Sequence, residues 1–155
     1  MELREANRDD IDQLVVMREL FMLEAHHHID DDKIQVIKEG TFHYLQKHLN
    51  HDCFVFIAVD DDKIVSTVFM IVFEKPAGPQ FLTGKIGNII NVYTLPQYRK
   101  HGIAGKLVQM AITKAKSNNI SYLDLKASQM GESVYRREGF EDDLSEYKNM
   151  KLVLK

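Results

Sequence analysis

The chain has 155 residues, 45% of them apolar and 28% charged, and a formal net charge of -3. That length and balance fit a single globular domain spanning residues 1–155 and leave no compositional ground for disorder. The mild acidity argues against nucleic acid as the main partner, because such domains carry a basic face and a high pI.

Cys53 is the single cysteine, so no internal disulfide can form, and its place in the apolar run CFVFIAV points to a buried, reduced thiol. No N-terminal stretch has the basic-then-apolar layout of a signal peptide. The longest apolar run, IVSTVFMIVF, is far short of the ~20 residues that cross a bilayer. These features predict a cytoplasmic protein with no membrane role.

Taken in chain order, Met1 to Ala6 alternates weakly and predicts a short first strand. Asn7 and Asp9 are capping residues ahead of Ile11, Leu14, Val15, Leu20 and Met22, whose spacing predicts a helix over 9–25. The run from His26 to Asp32 breaks that pattern. Ile34, Ile37, Phe42, Leu45 and Leu49 then resume it and predict a second helix.

CFVFIAV and KIVSTVFMIVF are β-branched and aromatic and flank Asp60-Asp61-Asp62, the chemistry of an antiparallel hairpin. The first of these runs is apolar on both faces and must be covered on both. Pro76, Gly78 and Pro79 end the hairpin in a loop. KIGNIINVYT reads as the next strand, and Leu107, Met110, Ala111 and Ala115 mark an amphipathic helix from about Ile103 to Ser117. A strand over 121–126 completes a βαβ unit. A short helix is expected over 129–138, stopped by Gly139, and strands over 140–143 and 147–154. The fold class is α/β, a mixed central sheet with helices on both faces.

Between strand and helix of the βαβ unit stands RKHGIAGK, residues 99–106. The first N–H groups of a helix lack intrahelical partners and carry the positive end of its dipole, so small residues there leave an anion site open. Gly102, Ala104 and Gly105 are small, and Arg99, Lys100 and Lys106 add charge, so a pyrophosphate would satisfy this turn. A P-loop is excluded, because only Ile103 and Ala104 separate Gly102 from Gly105 and Leu107 stands where the magnesium-binding hydroxyl belongs. The dinucleotide fingerprint fails too, since the turn lies late in the chain with G-x-x-G at best. An ordinary tight turn with solvated basic residues is the alternative reading of these eight residues.

The wider segment NVYTLPQYRKHGIAGKLVQMAITKAK resembles the cofactor-binding segment of the GNAT acetyltransferase superfamily, where R-x-x-G-x-G/A opens the helix. Here that signature is Arg99-x-x-Gly102-x-Ala104. LKASQMGESVYRREGFE resembles the second family signature, a tyrosine four residues before Gly-Phe: Tyr135, Gly139 and Phe140. Both stand in the right order, and the resemblance covers essentially the whole chain.

The resemblance implies a sheet whose central strands splay to admit the pantetheine arm of acetyl-CoA beside Val92, Tyr93 and Thr94. The N–H near Val92 would face the thioester carbonyl, where an oxyanion develops. The pyrophosphate would rest on the amides from Lys100 to Lys106, that is Lys100, His101, Gly102, Ile103, Ala104, Gly105 and Lys106, with Arg99 and Lys100 as side-chain partners. Tyr135 would protonate the leaving thiolate, a job suited to a phenol with a pKa near 10. Packing in the core is the plain alternative for that tyrosine. Ser128 stands where many relatives carry a cofactor-contacting asparagine.

The expected activity is transfer of an acetyl group from acetyl-CoA, the co-substrate, to a primary amine or peptide by direct attack. A non-catalytic acyl-CoA-binding or sensing module is the alternative. Some relatives place a glutamate on the central strand as base; this chain offers Asn88 and Asn91 there, and neither can take a proton.

His26-His27-His28 invites a metal hypothesis, but consecutive residues cannot all face one ion, and no metal is expected. In the family this link borders the acceptor pocket, so Glu24 and Asp30 to Asp32 would favour a cationic amine. The apolar segment 147–154 fits equally a strand pairing across a homodimer interface and one buried inside a subunit.

Overall fold

A computed structural model describes residues 1–155. Five strands form one sheet in the order β1-β2-β3-β4-β5. They are β1 (Glu2–Glu5), β2 (Cys53–Asp60), β3 (Lys63–Glu74), β4 (Lys85–Thr94) and β5 (Leu123–Leu125). All neighbours are antiparallel except β4 and β5, which run parallel across the connecting helix. The helices are α1 (Ile11–Ala25), α2 (Asp31–His48), α3 (Ile103–Ser117) and α4 (Glu132–Arg137).

The alternation of β2 explains why helices must lie on both faces. Cys53, Val55 and Ile57 belong to a core shared with Leu14 and Met17 of α1 and Leu45 of α2. Phe54, Phe56 and Ala58 belong to a second core with Leu107, Val108 and Ala111 of α3. A strand buried from both sides carries apolar residues at every position, which is what CFVFIAV displays. Asp61 and Asp62, both at positive φ, make the β2–β3 turn as their residue type allows.

At the entry to α1, Asn7 accepts from the Asp9 N–H at 2.9 Å while Asp10 accepts from the Asn7 N–H at 2.8 Å, a reciprocal cap. Asp10 is buried and held by Arg4 of β1 through two bonds of 2.7 and 2.9 Å, which fastens the first strand to the first helix.

The last part of the chain departs from the sequence-based expectation. No strand forms over 140–143 or 147–154, and residues 141–155 are exposed throughout. A β-strand exists only as a partner in a ladder, and the outer edge of β5 pairs with nothing in this chain. The helix expected over 129–138 is shortened to α4, because the Ser128 carbonyl and hydroxyl both accept from the Gly131 N–H and start it late.

Candidate active site

β4 and β5 pair only at Gly87 with Leu123, Asn88 with Asp124 and Ile89 with Leu125. Past that point β4 continues from Ile90 to Thr94 with β3 on one side and no strand on the other. The two strands therefore part beside the last strand of the sheet, and the backbone of Val92, Tyr93 and Thr94 borders the opening. A bulge falls at the same place: the register with β3 slips between Thr67 and Phe69, and Asn91 has φ 51°. Asn91 is buried, donates to Thr67 Oγ1 at 3.2 Å and accepts from Arg18 of α1 at 3.1 Å. Asn88 donates to Asp124 Oδ1 at 2.7 Å and so ties β4 to β5 at the root of the opening. Both asparagines thus hold the strands, a structural role in place of the base that a carboxamide cannot be.

The turn RKHGIAGK follows directly. Lys100 and Gly102 have φ of 64° and 74°, with His101 between them at negative φ. Alternating signs of this kind gather successive N–H groups into a concavity suited to an anion. None of the N–H groups from Lys100 through Gly105 donates to a protein atom; Lys106 is the first to do so, to the Gly102 carbonyl at 3.2 Å. A Cβ on Gly102 would meet nothing within 4 Å, so glycine serves here for its backbone conformation. Gly105 serves packing instead, since a Cβ there would come within 3.1 Å of Glu138 Oε1 beyond α4. Ile103 is buried and anchors the first turn of α3, Ala104 is half-buried, and Lys100, His101 and Lys106 are exposed.

Arg99 behaves differently from its neighbours. Its guanidinium donates to Glu24 Oε2 at 2.7 Å and to the Thr94 carbonyl at 2.8 Å, joining the end of α1 to the end of β4. It also lies 5.5 Å from the Tyr93 ring. Arg99 holds the Glu24 carboxyl below its ordinary pKa, and burial, then the Glu24 charge, pushes the Tyr93 phenol up. A carboxylate so stabilised is a weak base. The coupling of Glu24 to Arg99, seventy-five positions apart, is invisible in sequence.

Tyr135 sits on α4, 8% exposed, its ring edge-on to Phe140 at 6.0 Å and against Gly131. Its hydroxyl has no hydrogen-bond partner in the protein yet is not sealed from solvent. Burial raises its pKa above the usual 10.0, so the phenol keeps its proton at neutral pH. Ser128 starts α4 and stands on the Gly131 side of that ring. The Cys53 thiol is buried and pushed up to about 12, chiefly by burial, which removes it as a nucleophile. The histidines of the α1–α2 link do not converge; His28 pairs with Asp30 at 3.0 Å.

A model of the acetyltransferase (GNAT) family matches residues 15–140. The chain belongs to the GNAT acetyltransferase family. A predicted acetyltransferase from Clostridium acetobutylicum, solved with acetyl-CoA, is 28% identical and superposes with a TM-score of 0.84 over 97% of this chain and 95% of that one. A GCN5-related N-acetyltransferase from Ralstonia eutropha is 24% identical, with a TM-score of 0.80 over 96% and 97%. An aminoglycoside 6'-N-acetyltransferase from Acinetobacter haemolyticus is 17% identical, with a TM-score of 0.69 over 99% of each chain. The search of curated proteins finds no match. The parted strands, the open N–H turn and the tyrosine on a short helix are accordingly arranged on the fold of this acetyltransferase family. No helix is long and apolar enough to cross a membrane.

Proposed function

We propose that the chain transfers the acetyl group of acetyl-CoA to a primary amine by direct attack, without a covalent enzyme intermediate. The observation that carries this reading is the opening between β4 and β5, with unpartnered amides at its mouth and a protonated tyrosine nearby. The amides from Lys100 through Gly105 would hold the pyrophosphate, the Lys106 amide being taken by the Gly102 carbonyl, with Lys100 as the side chain left free to assist, and the backbone of Val92 to Thr94 would hold the pantetheine arm. Ser128 would border the cofactor from the start of α4.

In the chemical step the amine nitrogen forms a bond to the thioester carbon, and charge collects on the carbonyl oxygen, where the Val92 N–H would receive it. The C–S bond then breaks, Tyr135 gives its proton to the departing sulfur, and the amine proton passes to solvent. Glu24, its charge already balanced by Arg99, takes no part as base. The link from His26 to Asp32 would border the acceptor, with Asp30 to Asp32 favouring a cationic amine.

Release of free CoA thiol from acetyl-CoA, followed over a panel of amines and peptides, tests the reading. Amine-dependent release, slowed about 100-fold by Tyr135→Phe and abolished by Gly102→Glu, is the expected result. The lack of a carboxylate on β4, where Asn88 and Asn91 stand, favours one second reading, a non-catalytic acyl-CoA sensor. Gly102-dependent binding of acetyl-CoA with no thiol release under any amine would establish that one instead.

A further inference from the structure

Two arginines stand beside the free stretch of β4, and only one of them is neutralised. Arg99 meets the Glu24 carboxylate at 2.7 Å. Arg18, half-buried on α1, makes no ion pair. Its neighbour Glu19 is taken by Lys38 at 3.2 Å, and its one hydrogen-bond partner is the neutral Asn91 Oδ1 at 3.1 Å. Burial lowers the Arg18 pKa with no carboxylate to oppose the shift. A guanidinium stays protonated all the same, so a positive charge stands uncompensated at a depth where charges are ordinarily paired.

The donors that Asn91 does not take remain available. No buried side-chain nitrogen lacks a partner, so Nε and the second terminal nitrogen of Arg18, which bond to nothing in the protein, open on space that solvent reaches. Asn91 fixes which space that is. It is buried, its Nδ2 donates to Thr67 Oγ1, and its Oδ1 is thereby turned to α1, where it holds the guanidinium beside the bulge of β4. This is the α1–α2 face of the sheet, since Thr67 pairs with Ile57 of that core. The first turn of α3, with its open amides, packs on the opposite face, so Arg18 is no part of the pyrophosphate turn. Arg18, Phe21 and Glu24 follow one another at three-residue spacing along α1, and Phe21 meets the Tyr93 ring edge-on at 6.1 Å. A ligand lying along this row meets two aromatic rings and one free cation.

We infer that Arg18 binds a carboxylate carried by the acceptor amine, which makes the acceptor an α-amino acid or a close analogue. This rests on the acetyl-transfer reading above. The charge available is one unit, which a carboxylate balances; a doubly charged phosphate would exceed it and be repelled by Glu24 and by Asp30 to Asp32. The spacing is short as well. Asn91, which holds Arg18, directly precedes Val92, whose N–H would face the thioester carbonyl, so the carboxylate must stand within a few bonds of the attacking nitrogen. Polyamines, aminoglycosides and protein N-termini carry no carboxylate so placed. An asparagine at position 91 orients the guanidinium without neutralising it, whereas a carboxylate there would cancel the charge.

Thiol release from acetyl-CoA is to be measured for a set of α-amino acids, each paired with its α-carboxamide. The expected result is a kcat/KM for at least one amino acid about 100-fold above that of its carboxamide, the worth of a charge-assisted pair of hydrogen bonds. Arg18→Gln should reduce that ratio to a few-fold, with the loss in KM, because the contact is made equally in ground and transition states. Arg18→Lys should recover part of the preference, since it keeps the charge and loses the fork. Asn91→Asp, which neutralises Arg18 in place, should collapse the same ratio, and it serves alone if Arg18→Gln fails to fold by circular dichroism.

Carboxamides used as well as amino acids, O-phosphoethanolamine preferred to both, or a loss in the variants that strikes amino acid and carboxamide alike would overturn the inference and leave acetyl transfer standing. If no amine or amino acid releases thiol, the acetyl-transfer reading fails by itself. Titration calorimetry of the same pairs against the protein with CoA then decides the anion site. Binding of an amino acid that is lost in its carboxamide and in Arg18→Gln supports the site, and equal binding of the two, or none, overturns it.

Discussion

Tyr135 shows how one residue's chemistry is set by its surroundings. Burial raises the phenol, which favours the neutral form, so the acid stays loaded up to and beyond pH 10. The kcat profile of the wild-type protein is therefore expected to rise as the amine loses its proton and to show no alkaline fall below about pH 10; a limb falling near pH 8 would remove Tyr135 as the acid. Asp10 works in the opposite sense. Arg4 pulls its pKa below 3.8, so the pair contributes fully above that value and its contribution is lost as pH falls through the lowered one. Asp10→Ala should cost about 2 kcal/mol at pH 7 and progressively less below pH 4, as urea melts would record. The sequence exposes the identity of both residues but not these environments. Tyr135 is legible because it stands four positions before Gly-Phe, whereas the Arg4–Asp10 pair and the Glu24–Arg99 pair form only when distant elements meet.

Among the elements, β2, β3, β4 and α3 could be read nearly to the residue, because their hydrophobic period and turn residues are local properties. The turn at residues 99–106 was legible for the same reason, although sequence alone assigns Gly105 to the anion and the structure assigns its smallness to Glu138. Gly87 is the counterpart in β4. A Cβ there would lie 2.5 Å from Leu123 Cδ2, so the first of the three registered pairs between β4 and β5 favours glycine at that point. Gly87→Ala should lower stability by about 1–3 kcal/mol in chemical denaturation by forcing Leu123 aside. A change below a few tenths would mean that β5 yields freely. The strands expected over 140–143 and 147–154 were misread for a physical reason: periodicity reports that a segment can pair, and it carries no information on whether a ladder forms.

At the scale of the whole molecule, the sheet separates two cores that share a backbone and no buried side chain, half-buried Leu95 alone touching both. Ile57 is buried on the α1–α2 side and Ile89 on the α3 side. Ile57→Val and Ile89→Val should each cost about 0.5–1.5 kcal/mol, and the double variant should equal their sum within about 0.5 kcal/mol. Strong coupling between them would show that the sheet transmits strain from face to face. This two-sided architecture was readable from CFVFIAV alone, since a strand without a polar face has to be covered twice.

The early end of the β4–β5 ladder has a further consequence for the order of events. Within the sheet, β4 and β5 meet across a seam of only three residue pairs, while α3 packs over both sides of it from one face. A donor molecule lying along the exposed edge of β4 would act as a temporary extra strand and lengthen the seam, whereas an acceptor arriving alone would leave it at three pairs. Under the proposed acetyl transfer, the sheet's own incompleteness would favour donor before acceptor and would make the thioester part of the framework against which the amine is aimed.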